Sequence, residues 1–140
     1  MPSLGLDHVD LRVPSLRAVE AFYDTLLQRL GLTRKHYAYV DPHGEWADGT
    51  PERHNAVEWY EEGTAERPFF VGVIEDAGMR VVRTRLAFRV AGHAELDGWR
   101  PELRELGARD GEYEVHETSS SLFFTDPLGT RLELVAPAGR

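Results

Sequence analysis

The chain has 140 residues, a net charge of −8, 41% hydrophobic residues and no cysteine. That length is enough for one domain with a real core, and the missing thiols exclude disulfides, thiolate metal ligands and a cysteine nucleophile. The acidic balance and scattered arginines argue against nucleic acid, and the longest apolar run, residues 69–74, is too short to span a bilayer, so the expectation is a cytoplasmic protein without nucleic-acid or membrane partners.

Residues 6–13 alternate cleanly, with Val9, Leu11 and Val13 on one face and His8, Asp10 and Arg12 on the other, which predicts a half-buried strand. Pro14 and Ser15 end it and open a helix, Ser15 being able to accept from an orphan backbone N–H. Val19, Phe22, Tyr23, Leu26, Leu27 and Leu30 recur at helical spacing until Gly31 stops the run. A strand over 33–40 follows, then a long Gly-, Pro- and Asp-containing connection over 41–54 that carries Trp46, and further strands over 55–61 and 68–75. The connection is either a lid or an ordinary surface excursion. Trp59 and Tyr60 read as core and rim, and His36, His43 and His54 as surface residues without metal-type spacing.

The second half repeats the order. Leu86, Phe88 and Val90 alternate with Arg85, Ala87 and Arg89, and Leu96, Trp99, Leu103 and Leu106 then form a helical stripe ending near Gly107. Pro101 sits inside that stripe, so the helix is expected to start late, near Asp97, or to kink. Strands over 111–116 and 120–125, the turn Asp126-Pro127-Leu128-Gly129 and a strand over 130–135 close the chain. The segment 84–108 thus echoes 7–32 and sets Arg85 opposite His8. The order β-α-β-β-β occurs twice, and the fold class is α+β: two tandem βαβββ modules, about 5–77 and 82–137, forming a cup-shaped mixed sheet with the helices outside. The polar strand faces would line a shared cleft for a ligand.

Three stretches carry a family resemblance: HVDLRV followed by AFYDTLLQRLGL, RLAFRV followed by ELRELGA, and FFTDPLGTRLELV. In this order they resemble the vicinal oxygen chelate superfamily, which includes glyoxalases, bleomycin-resistance proteins and extradiol dioxygenases. The resemblance implies paired βαβββ modules, frequent homodimers and, in metal-using members, a divalent ion held by the first and last strands of each module. Carried onto this chain, those positions are His8, Gly72, Arg85 and Glu133. His8 and Glu133 suit a metal; Gly72 has no side chain, and Arg85 does not deprotonate to become a ligand. A guanidinium about 4 Å from a cation costs on the order of 4 kcal/mol per unit charge at an effective dielectric near 20. Arg85 facing Glu133 is instead expected to form an ion pair. His116 is a candidate third ligand beside His8 and Glu133.

His8 reads as a surviving ligand, a general base or a histidine bonded within a polar face, and Glu133 as a ligand, a proton-transfer group or a partner for arginine. Arg12, Arg85, Arg89 and Arg131 share the polar faces with Asp10 and Glu133, a local reversal of the chain's overall charge. Arginine forks suit carboxylate or phosphate, so the expected partner is a small anionic organic ligand bound by Arg85, Asp10, Arg12, Arg89 and Arg131; the alternative is that several of these arginines lie at strand ends and reach solvent. No cofactor follows firmly from the residues, a divalent metal ion being the one that the resemblance suggests. Two readings stand: a metal-dependent lyase, isomerase or dioxygenase using His8 and Glu133 with a further ligand, and a ligand-binding protein, or metal-free enzyme, in which Arg85 is the fixed electrophile.

Overall fold

The computed structural model describes residues 6–63 and 65–137. The chain divides into two compact units, Met1–Met79 and Arg80–Arg140. In the first, strand β1 (His8–Val13) leads to helix α1 (Leu16–Arg29), followed by β2 (Arg34–Val40), β3 (Trp46–Asp48), β4 (Ala56–Tyr60) and β5 (Phe70–Glu75). The sheet order is β1-β5-β4-β2-β3, with β1 parallel to β5 and the other pairs antiparallel.

Ser15 caps α1 by accepting from the Ala18 N–H at 3.3 Å. At the other end Gly31 takes φ 99°, a conformation that glycine adopts without a Cβ clash. The helix buries Leu16, Val19, Phe22, Tyr23, Leu26 and Leu27 against the unit's sheet, where Val57, Trp59, Val71 and Val73 are also buried. Each such side chain contributes about 1.5–3 kcal/mol when withdrawn from water.

The connection 41–54 is more ordered than its composition suggests. Asp41 Oδ1 accepts from the backbone N–H groups of His43 (2.8 Å) and Glu45 (2.9 Å), and Gly44 takes φ 82°. The chain therefore doubles back, and β3 pairs with β2 from Val40–Trp46 to Ala38–Asp48. The first unit is accordingly βαββββ, a βαβββ module with one short edge strand added. Asn55 anchors the return, its side chain bonding both the N–H and the C=O of Val40 at 2.7 Å.

The second unit contains β6 (Arg85–Arg89), α2 (His93–Glu105), β7 (Arg109–Val115), β8 (Ser119–Thr125) and β9 (Arg131–Pro137). Its sheet order is β6-β9-β8-β7, again with one parallel pair, β6 and β9. Leu96, Trp99, Leu103, Leu122, Phe124, Leu132 and Leu134 form its core.

Helix α2 runs through Pro101 and starts at His93, four residues before the expected late start. Leu96 and Trp99, both buried, lie before the proline and hold that first half in place. Strand β7 begins at Arg109, two residues earlier than alternation suggests, because an irregularity between Arg109 and Glu112 breaks the period. Among the described residues no helix is long and apolar enough to cross a membrane.

Candidate functional site on the polar strand faces

Both sheets turn one face to their helix and leave the other polar, as the alternation of β1 and β6 requires. On the first unit's polar face, register builds two transverse rows. One is His8, Phe70, Tyr60 and Arg34; the next is Asp10, Gly72, Glu58 and His36.

The His8 ring stacks on Phe70, with centroids 4.4 Å apart and planes 2° from parallel. Its Nδ1 lies 2.8 Å from Asp7, and its Nε2 lies 3.5 Å from Asp10. The Asp7 hydrogen bond raises the His8 pKa, aided by the charges of Asp10 and Glu58. Asp7 is held down at about 2, first by Arg67, whose Nε donates to it at 2.8 Å, and then by His8.

In the second row, a Cβ on residue 72 would lie 2.5 Å from Asp10 Oδ1. Gly72 therefore does more than lack a ligand: the Asp10 carboxylate occupies the space of its missing side chain. His36 places Nδ1 3.0 Å from Glu58 and Nε2 3.1 Å from Asp48, tying β2 to β4 and β3. Tyr60 donates to Glu58 at 3.2 Å, and burial followed by the Glu58 charge pushes its pKa up to about 12. Arg12 reaches Asp76 at 3.8 Å, so that arginine is paired at the strand end.

The second unit's polar face is organised by charge. Its first row is Arg85, Arg131, Thr125 and Arg109, one residue from each strand in the order β6-β9-β8-β7. The next is Ala87, Glu133, Phe123 and Glu112; then come Arg89, Val135, Ser121 and Glu114. Carboxylates are absent from the first row and begin in the second. Arg85, Arg109 and Arg131 form no ion pair among the described residues. They line a concavity of about 670 Å³ together with Glu112, Phe123 and Thr125.

The turn after β8 shapes one wall of this concavity. The fully buried Asp126 accepts from the N–H groups of Leu128 (2.8 Å) and Thr130 (3.0 Å), and Gly129 takes φ 101°.

The expected ion pair between Arg85 and Glu133 is not formed among the described residues. Register places Glu133 opposite Ala87 and Arg85 opposite Arg131. The Arg85 guanidinium lies over the Phe123 ring at 4.6 Å, while Glu133 accepts from Ser121 Oγ at 2.9 Å. Arg89 stands two rows from Arg85 on the same face. His116 lies just beyond β7, exposed, with Nε2 3.0 Å from Glu114.

His54 is not the surface residue that its loop setting suggests. Its side chain is 13% exposed, bonded through Nε2 to Glu20 at 2.5 Å and through Nδ1 to the Thr50 carbonyl at 2.9 Å. Lys35 joins the same network at 3.1 Å from Glu20 and 3.3 Å from Asp24, and Asp24 also accepts from Trp59 Nε1 at 3.0 Å. These groups brace α1 against the sheet.

The donor chemistry does not suit a divalent ion at the four positions that the resemblance singled out. Glycine and arginine supply no ligand at two of them, and among the described residues no three His, Asp or Glu side chains are grouped to hold a metal.

No protein-family model matches the chain, and no curated protein matches it. Solved structures do match in fold. A glyoxalase/bleomycin resistance protein from Albidiferax ferrireducens is 14% identical with TM-score 0.64, the match covering 94% of this chain and 97% of that one. The fosfomycin resistance protein FosX from Listeria monocytogenes is 19% identical with TM-score 0.62, over 97% and 94% of the two chains. A lactoylglutathione lyase from Agrobacterium tumefaciens is 19% identical with TM-score 0.58, over 97% and 95%. The fold of this chain is the one found in these glyoxalase/bleomycin resistance, fosfomycin resistance and lactoylglutathione lyase structures.

Proposed function

We propose that this protein binds a small anionic organic ligand on the polar strand face of its second module, with arginine doing electrostatically what a metal ion does in metal-using proteins of this fold. The observation that carries the reading is the first row of that face, where Arg85 and Arg131 are adjacent and lack a carboxylate partner among the described residues. An arginine that is not neutralised by its own protein, set in a concavity, is available to a carboxylate or a phosphoryl oxygen as a fork of donors.

Two further observations support it. Gly72 and Arg85 stand where metal ligands would be needed, and the Asp10 carboxylate fills the space beside Gly72. FosX, which shares the fold, has been solved with Mn(II) and sulfate and, as a mutant, with Mn(II) and 1S,2S-dihydroxypropylphosphonic acid, so the fold accommodates small anions. Should the bound ligand react, Arg85 is the candidate for stabilising a developing oxyanion, and Glu133, one row away on the same face, is the candidate group for moving a proton.

Elemental analysis of untagged protein purified without chelators, before and after challenge with Mn(II) and Zn(II), tests the metal-free part. The expected result is a substoichiometric metal content in both samples. One tightly held divalent ion per chain would favour instead a metal-dependent lyase, isomerase or dioxygenase.

A further inference from the structure

The geometry points to a two-point site for an organic dianion, in which Arg85 and Arg131 hold one anionic group and Arg109 holds the other. This deepens the proposed anion-binding function and rests on it.

The argument starts from register. Arg85 pairs with Arg131, Arg131 with Thr125, and Thr125 with Arg109, so a single transverse row crosses all four strands. Neighbouring strands lie about 4.8 Å apart, which puts the first two arginines about 5 Å apart at their Cα atoms and Arg109 about 10 Å from Arg131. Two cations at one end and a third two strands away match a ligand with charge at both ends better than one compact anion.

The space between them is furnished for such a ligand. Thr125 stands between Arg131 and Arg109 and offers a hydroxyl. Phe123, already beneath the Arg85 guanidinium, lines the same concavity and gives a short carbon chain an apolar floor. Among the described residues Glu112 is the one carboxylate lining the concavity, and it stands a row away, opposite Phe123. Its charge disfavours anions that stray from the arginine row, which adds discrimination in position.

A dicarboxylate with a short methylene chain fits this pattern most simply. The test titrates the whole protein calorimetrically with the straight α,ω-dicarboxylates from malonate to suberate, the matched monocarboxylates and inorganic phosphate. The inference expects diacid affinity to pass through a maximum with chain length and to exceed that of the matched monoacid by about tenfold or more. Arg109→Gln should erase that difference, and Arg109→Lys, which keeps the charge but loses the fork, should retain part of it. Circular dichroism of both variants checks that the fold is intact.

If monoacids and diacids bind equally, or if Arg109→Gln leaves the diacid preference unchanged, the two-point site is wrong while anion binding stands. Phosphate binding as tightly as the best diacid, indifferent to Arg109, also overturns it in favour of a single compact anion site. If none of these anions binds the unmodified protein, the anion-binding reading fails, and the inference with it.

Discussion

His8 shows how one side chain's surroundings select among its chemical roles. Stacked on Phe70 and hydrogen-bonded to Asp7, it is biased toward the imidazolium form. A raised pKa in the folded state means that the Asp7–His8 contact contributes stability below the ordinary histidine pKa and loses it as pH rises through the raised value. Both side chains are 40% exposed, so solvent keeps that contribution small. Replacing Asp7 by Asn should lower the His8 pKa toward that of a free histidine, read from its ring resonances by NMR titration. An unchanged titration would mean that Asp10 and Glu58, rather than Asp7, set the charge of the ring.

Gly72 belongs to the same scale. A side chain there displaces the Asp10 carboxylate, which is the far end of a flexible group and can swing away. Gly72→Ala should therefore cost little stability yet reduce the influence of Asp10 on His8, lowering the His8 pKa in the same NMR titration. The change from His8 to Arg85 was legible in the sequence once the two halves were aligned, whereas Gly72 and Glu133 were reached only through the family resemblance. That Asp10 fills the gap was not legible, because alternation gives a face and not a distance.

At the scale of elements, pattern carried far because each unit buries one face and leaves the other polar. The strand faces of β1 and β6, the Ser15 cap and the turn at Asp126–Gly129 follow from local chemistry and are found as expected. The misses share a physical cause. Hairpin β3 depends on side-chain bonds from Asp41 and Asn55, and the early start of β7 depends on an irregularity that breaks period two. Arg109, the arginine that completes the cationic row, was hidden behind that irregularity. Nothing in the alternation sets it opposite Thr125, because the register shifts between Arg109 and Glu112. Helix α2 overrides Pro101 because buried Leu96 and Trp99 outweigh one lost backbone hydrogen bond.

The turn between β8 and β9 fixes the register that sets Thr125 beside Arg131. Asp126→Ala removes two charge-assisted hydrogen bonds from a fully buried carboxylate and should cost about 2–4 kcal/mol, measured by urea unfolding. The variant should also weaken anion binding, since the arginine row depends on that register. A loss of less than about 0.5 kcal/mol would show that the proline and glycine hold the turn unaided.

For the whole molecule, the important contrast is between a net charge of −8 and a local row of arginines. Long-range repulsion of anions by the acidic surface is screened by salt, whereas a paired fork in a concavity is screened less. Glu20 and Asp24 add a pH dependence. Burial alone would raise both pKa values, but hydrogen bonds from His54 and Lys35 to Glu20, and from Trp59 and Gln28 to Asp24, bring both below their ordinary values. Their contribution is thus present above about pH 4 and lost as pH falls through the depressed values, while that of Lys35, whose pKa is raised, is lost only in strong alkali. The thermal midpoint should be level through neutral pH and fall on acidification, and Glu20→Gln should flatten part of that fall. An equal acid-side slope in Glu20→Gln would place the acid sensitivity elsewhere.

The most direct measurement is calorimetric titration of an organic carboxylate into unmodified protein and into Arg85→Gln, each with excess chelator and with excess Mn(II). Arginine-based recognition predicts equal affinity for the unmodified protein with chelator and with Mn(II), and a loss of about tenfold or more in Arg85→Gln under both conditions. Binding that appears only with Mn(II), or that is indifferent to Arg85, would contradict it.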